Sequence, residues 1–313
     1  MNPNDYSLKE DGTASDVANT DYDGNAMAQF PLCWVYRYED ANYYYEIVSN
    51  VQYDENYKAY AHTDANGNIK DYFYWSLFTA SGDTSKFRSL SGKSSTCNIT
   101  ISAASSAISA NGDNWYIASW SQYELIRTLL VLISKSCDSQ AIFGYGNTLG
   151  TSPLDTAALI DKGQFFGFNS DFTHAVKVFH IENFWGNLMS FIVGFINSRY
   201  TAYVKLTPEN GGYPVDSVTG YSNTGIVMPF TSRNFINAVN CSEFGCIPIS
   251  GSGSSSTYFC DAMWSENVAI GVVIRCGYIN APNSNFAGIF MFNCSTLYSS
   301  SAASTFTAFL AYV

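Results

Sequence analysis

SWSQYELIRTLLVLISKS, Ser119 to Ser136, is the clearest helix in the sequence, and it decides the fold class. Ser119 is placed to cap its N-terminus, and Tyr123, Ile126, Leu129, Leu130 and Ile133 fall at the spacing of a core-facing stripe. Such a helix is scaffold, and other elements must cover its apolar side. On its N-terminal side TISAASSAISAN, Thr100 to Asn111, reads as a second, alanine-faced helix stopped by Asn111-Gly112. Almost everything else looks like short strands and loops. AMAQFPLCWVYRY (Ala26 to Tyr38), Tyr43 to Val51 and Tyr57 to His62 are β-rich runs separated by Asp and Asn, as in a meander. DANGNIK, Asp64 to Lys70, is a turn with Gly where positive φ is needed.

Downstream of the helix, Gln164 to Phe168, Ala175 to His180, Tyr203 to Leu206, Gly225 to Met228, Val268 to Arg275, Ala287 to Asn293 and Thr305 to Val313 are strand candidates. The stretches 86–95, 142–161 and 245–257 are rich in Gly, Ser and Thr and read as loops. Two helices among many short, irregularly spaced strands predict a loop-rich α+β fold. Residues 1–25 are polar and read as an extended lead-in; residues 26–313 carry no repeat and no linker, and read as one domain.

Composition narrows the function. Apolar residues make up 47% of the chain, enough for a core, while charged residues make up only 13%, about half the usual share. The 23 Tyr and 22 Phe, with abundant Asn, Ser and Gly, suit a surface that binds by aromatic contact and adaptable hydrogen bonds; a β-rich fold enriches the same rings. The net charge of −11 argues against nucleic acid and anionic membrane as partners. No signal peptide is visible, and the apolar runs LIRTLLVLI and FIVGFI are too short to span a bilayer.

Chemistry-bearing motifs are absent from the sequence. His62, His174 and His180 lack metal-ligand spacing, and no P-loop, GxSxG or GxGxxG context occurs. Glu182 with Asp171, and Asp21 with Asp23, are carboxylate pairs that nothing distinguishes from solvated acids. The eight cysteines form no CxxC pair, and buried free thiols are the default; one disulfide among Cys241, Cys246 and Cys260 is left open. No catalytic residue, metal or cofactor is assigned.

The closing segment is unusual. CGYINAPNSNFAGIFMFNCSTLYSSSAASTFTAFLAYV, Cys276 to Val313, contains no Asp, Glu, Lys or Arg. It mixes aromatic and aliphatic side chains with Asn and Ser, which suits both a packed strand and a contact surface.

Three stretches together resemble a known family: ANGDNWYIASWSQYELI (Ala110 to Ile126), IENFWGNLMSF (Ile181 to Phe191), and GSSSTYFCDAMW (Gly253 to Trp264) followed by VAIGVVIRCGYINAPNSNFAGIFMFN (Val268 to Asn293). Their order resembles the C-type lectin fold of the formylglycine-generating-enzyme subtype. Trp115 and Trp120 through Glu124 are similar to its helix segment, and Gly186, Asn187 and Phe191 to its G-N-x-W-E-W segment. The closer resemblance is to phage variable proteins of diversity-generating retroelements and related tail receptor-binding proteins. NAMAQFPLCWVYRY (Asn25 to Tyr38), KFRSLSGKSSTCNITI (Lys86 to Ile101) and DSQAIFGYGN (Asp138 to Asn147) echo these in the same order. Met189 and Ser190 stand where the enzyme type has Trp-Glu, and Cys276, Gly277, Tyr278 and Ile279 where it has G-G-S-W. Cys276 and Cys294 fall in the region of the enzyme's copper-holding cysteines but outside its pattern.

The resemblance therefore implies the scaffold without the oxidase chemistry. It implies a protein of the virion surface that binds a host cell-surface protein or glycan receptor, with a tail or fibre component as a further partner. The implied ligand surface lies in 264–313, with Tyr278, Asn280, Asn283, Asn285, Phe286, Phe290, Phe292 and Tyr298 on the display face. The alternation in Ile289 to Asn293 is expected to put one side in water. A copper or thiol oxidase and a non-adhesive virion component are the alternatives.

Overall fold

Ser119 caps the long helix as its sequence requires. Its side chain accepts from the Gln122 backbone N–H, and the Gln122 side chain accepts in return from the Ser119 N–H, a reciprocal capping box. The helix, α2 below, ends where Lys135 turns left-handed at φ 55°. These details come from a computed structural model, which describes residues 2, 5, 7–275, 277, 279, 287–297 and 302–313, without the side chains of 296 and 297.

Among the described residues there are three α-helices: α1 (Ile101–Ser109), α2 (Trp120–Ser134) and α3 (Ser139–Phe143). The strands in chain order are β1 (Met27–Pro31), β2 (Trp34–Glu39), β3 (Tyr44–Ser49), β4 (Tyr72–Ser76), β5 (Trp115–Ile117), β6 (Lys177–Val178), β7 (Ile181–Glu182), β8 (Met189–Ser198), β9 (Thr201–Val204), β10 (Ser222–Val227), β11 (Asn234–Phe235), β12 (Ala238–Ser242), β13 (Gly245–Ser250), β14 (Ala262–Ser265), β15 (Gly271–Arg275), β16 (Phe292–Leu297), β17 (Phe306–Ala308) and β18 (Leu310–Tyr312). Few helices and many short strands make the fold α+β. The helices Thr100–Asn111 and Ser119–Ser136 form close to their expected bounds; α3, capped by Asp138, was not anticipated.

Two sheets organise the chain. A four-stranded sheet runs β1-β4-β18-β5, so the last strand sits between β4 and β5. An eight-stranded sheet runs β10-β9-β8-β15-β16-β14-β11, with β17 added parallel to β8. β2 and β3 form a separate antiparallel hairpin, as do β12 and β13. One apolar cluster runs from Phe30 to Val313 and draws on both sheets and on α1 and α2.

Several expectations change. The segment 245–257, read as a loop, begins with β13, which pairs with β12, Pro248 opposite Val239, with a register shift just beyond. Gln164 to Phe168 is not a strand; only an isolated bridge from Phe166 to Lys177 forms there. On α2, Tyr123, Ile126 and Leu130 are buried, but Ile133 is exposed. Part of the lead-in is packed, since Val17 is buried with Ala26, Leu77 and Phe78. The Asp64 turn is as expected: Gly67 takes φ +80°, and the Asp64 carboxylate accepts from the Asn66 and Asn68 backbone N–H groups and pairs with Lys70. That carboxylate is thus engaged within its own turn.

Candidate functional site

The β2–β3 hairpin divides its side chains by the period of two. Arg37 is directly opposite Glu46 on the inner face; Tyr38 is opposite Tyr45, and Tyr36 opposite Ile47, on the outer face. The inner face lies on α2 and builds a buried ion network. Glu46 accepts from Arg37 Nε at 2.7 Å, from Arg127 Nη1 at 2.9 Å and Nη2, and from the Thr128 hydroxyl at 2.8 Å. Glu124 accepts from Arg127 Nε at 2.8 Å and Nη2 at 3.0 Å, and from the Cys246 backbone N–H at 2.7 Å. Burial alone would raise the Glu46 carboxyl, but Arg127 and Arg37 outweigh it and hold the group well below the usual carboxylate range. Two cations thus meet two anions, with the backbone and Thr128 taking further bonds. Removing one member would leave a buried charge uncompensated, at a cost of about 3–5 kcal/mol.

The outer face is aromatic and meets water. Tyr36 and Tyr38 stack at 4.7 Å between ring centroids, and Tyr38 and Tyr45 at 4.5 Å. Tyr57 packs on Tyr36 at 5.6 Å, and Tyr53 on Tyr57 at 5.5 Å. Tyr43 and Tyr53 are 67% and 74% exposed, so the series ends in open rings. Stacked pairs of this kind contribute about 0.5–1.5 kcal/mol each. They preorganise the surface, because the rings are already held when a ligand arrives.

A cavity of about 620 Å³ opens between β2 and the turn joining β12 to β13. Tyr36, Tyr38, Tyr60, Trp120 and Phe244 contribute to its walls. Arg37, Glu124 and Cys241 reach it from the ion-network side, and Glu39, Glu55, Glu243 and Lys58 also line it. Its shape is fixed by hydrogen bonds. The Tyr60 hydroxyl donates to Glu243 at 2.7 Å, the Trp120 indole N–H to the Phe244 carbonyl at 2.6 Å, and Asn240 and the Cys241 N–H to Glu39 at 2.8 and 2.9 Å. Aromatic walls with a few placed polar groups suit a small ligand or a protruding group of a larger one. A second cavity, about 780 Å³, lies between the lead-in and α2 and includes Phe30, Leu129 and Phe179.

One metal-like grouping occurs among the described residues: Glu46, Cys241 and Cys246, with ligand atoms within 4.8 Å of one another. The donor set does not suit a cation. The Glu46 oxygens already take bonds from two guanidiniums, and a metal would be placed against those positive charges.

Six of the eight expected display residues, Tyr278, Asn280, Asn283, Asn285, Phe286 and Tyr298, lie outside the described residues. The other two need correction. Phe290 and Phe292 are each only 2% exposed, and Ile289 and Met291 are buried with them, so alternation puts neither side in water. The reason is position: Phe292 opens β16, which lies between β15 and β14 inside the eight-stranded sheet with α2 close by, while Ile289 to Met291 are not strand but a turn packed into the core before it. The Phe292 ring centroid lies 5.3 Å from that of Trp120 and 5.6 Å from that of Tyr123. Phe290 lies under the Arg127 guanidinium at 5.1 Å and against Phe259. These two rings support the pocket from behind.

Other sequence candidates fall apart in space or chemistry. Cys276 lies outside the described residues, and burial pushes the thiol of Cys294 up. Glu182 is buried and raised to about 7 by that burial, while Asp171 is half-buried and bonded to Thr173. Arg127 was missed, and Glu124 was named only as the end of the family-like helix segment, not as a buried charge. Glu124 is balanced by Arg127 one turn on, and Arg127 also by Glu46, far off in sequence; the position of both among apolar neighbours on α2 was a signal. No family model matches this sequence, and no curated protein matches it.

Proposed function

We propose that the protein is a ligand-binding module on a C-type-lectin-like scaffold of the formylglycine-generating-enzyme subtype, displayed on a virion to attach it to a host cell-surface protein or glycan. The observation that carries the reading is the preorganised tyrosine face of β2–β3 beside the cavity of about 620 Å³. Rigid Tyr rings supply contact area at low entropic cost, and neighbouring Glu and Asn groups adapt their hydrogen bonds.

The segments that resemble the family fall at framework positions, which supports the scaffold. Trp120 through Glu124 open α2. Gly186 and Asn187 take φ +75° and +61°, and Gly186 approaches so closely that a Cβ would meet the Asn147 backbone nitrogen at 2.8 Å. Arg275 ends β15 with its guanidinium 4.2 Å from the Phe184 ring and 4.9 Å from that of Phe309, donating to the Phe184 carbonyl. The terminal strand β18 closes the four-stranded sheet. In this reading Tyr278, Asn280, Asn283, Asn285, Phe286 and Tyr298 remain the variable positions, and Phe290 and Phe292 leave the set.

The test is binding of the purified protein to an array of defined glycans and to intact cells of candidate hosts. Replacing Tyr38 and Tyr45 together by Ala should weaken binding by about tenfold or more while costing about 1–3 kcal/mol of stability, which leaves the chain folded. Binding that survives both this pair and Ala at Tyr278, Phe286 and Tyr298 would remove the reading.

A further inference from the structure

We propose that Cys241 and Cys246 are a reversible dithiol–disulfide pair that clasps one wall of the tyrosine pocket. The two residues are direct partners across the β12–β13 hairpin, and their sulfurs lie 3.1 Å apart. Facing residues on antiparallel strands hold their Cα atoms at about 4.5–5.5 Å, inside the range of about 4.4–6.8 Å that a disulfide accepts. Closing the bond therefore needs a small movement of the sulfurs and no change of register. The third cysteine left open by the sequence is engaged elsewhere: the Cys260 thiol donates to the Thr257 carbonyl at 2.9 Å.

Both sulfurs are buried, but Cys241 lines the cavity and Cys246 lies behind it. A reagent enters from the pocket side. The groups that face the pair are the Glu46 carboxylate, the Arg127 guanidinium and the Tyr45 carbonyl. Burial and the neighbouring Cys241 raise the Cys246 thiol, which Arg127 opposes. Cys241 is accordingly the attacking sulfur and Cys246 the resolving one.

The co-reactant is a low-molecular-weight disulfide. Cys241 gives up its proton and its sulfur attacks one sulfur of the reagent, whose S–S bond breaks; one thiol leaves with a proton. Cys246 then loses its proton and attacks the Cys241 sulfur of the mixed disulfide, releasing the second thiol. The pair is oxidised by two electrons and the reagent is reduced to two thiols. The ring closed spans only the hairpin turn, so little loop entropy favours it and the bond is easily reduced. The consequence falls on the pocket. The turn between the two cysteines carries Glu243 and Phe244, which hold Tyr60 and Trp120, so oxidation fixes a wall that reduction leaves to hydrogen bonds alone.

The experiment uses the full chain, reduced and then exposed under native conditions to glutathione disulfide, quenched in acid, alkylated and peptide-mapped. The expected product is a Cys241–Cys246 link with the loss of two hydrogen atoms, reversed by dithiothreitol. Phenylarsine oxide, which bridges adjacent thiols, should protect both from alkylation in the reduced protein, and Cys241→Ser should abolish that protection. Two freely alkylated thiols in the native protein after treatment, or a link formed only once the chain is unfolded, would overturn the proposal. Failure of ligand binding would leave it standing, since the pairing is read by mass alone.

Discussion

The segment Ile289 to Asn293 and the β2–β3 hairpin are both rich in aromatic rings, yet they meet opposite fates. In the first, four successive residues, Ile289 to Phe292, are essentially fully buried. In the second, Tyr36, Tyr38 and Tyr45 line a face that ends in exposed Tyr43 and Tyr53. The difference lies in what covers each segment. The first is a turn that runs into β16, a strand with a neighbour on both sides and a helix close by, whereas β2–β3 is a two-stranded ribbon with one face on α2. Charge marks the same difference. The tail has no ionised side chain after Arg275, while the hairpin interleaves its tyrosines with Arg37, Glu39, Asp40 and Glu46. Rings without charges among them signal interior here, and rings alternating with charges signal a face.

The largest effect should come from the tail. Phe292→Ala removes a ring packed on Trp120 and Tyr123 and should cost about 3–5 kcal/mol in denaturant unfolding. A loss under about 1 kcal/mol would mean that the ring is not core, and the contrast would collapse. Acid should act next, on the hairpin side. His62 is fully buried, accepts from the Cys33 N–H just before β2, and is held at about 4 by burial, below its ordinary value of 6.5. The unfolded chain takes up this proton at a higher pH than the folded chain does. Its contribution is therefore whole above pH 6.5 and is lost as pH falls through 4, by up to about 3 kcal/mol. His62→Gln should flatten that slope in urea midpoints measured across the window; an unchanged slope would count against the burial. The smallest effect on stability belongs to Tyr38→Ala, about 1 kcal/mol or less, since one side of its ring system already meets water. A loss as large as that of Phe292→Ala would show the tyrosine face to be structural.

The frame was largely readable. Ser119 as cap, Tyr123 and Ile126 as core, and Gly67 in its turn follow from local rules that need no distant partner. Part of what escaped depends on partners remote in sequence. Glu124 and Arg127 pair with each other, but nothing near them announces that Glu46 will add a second carboxylate on Arg127 under the β2–β3 hairpin, so ordinary helix logic puts them in water. β13 looks like a loop because Pro248 and the following Gly and Ser disguise a strand whose partner, β12, is its immediate neighbour. The tail misled for a related reason. Alternation identifies a wet side only when one face is free, and the sequence cannot say how many layers will cover a strand.

Trp120 gives these separate readings a common consequence. Its indole N–H is tied to Phe244 in the pocket wall, and its ring packs on Phe292 of the tail and Phe195 of β8. Drift at Phe292 would therefore be felt through one indole at the mouth of the pocket. The mouth of the pocket and the interior of the eight-stranded sheet are thereby one mechanical unit.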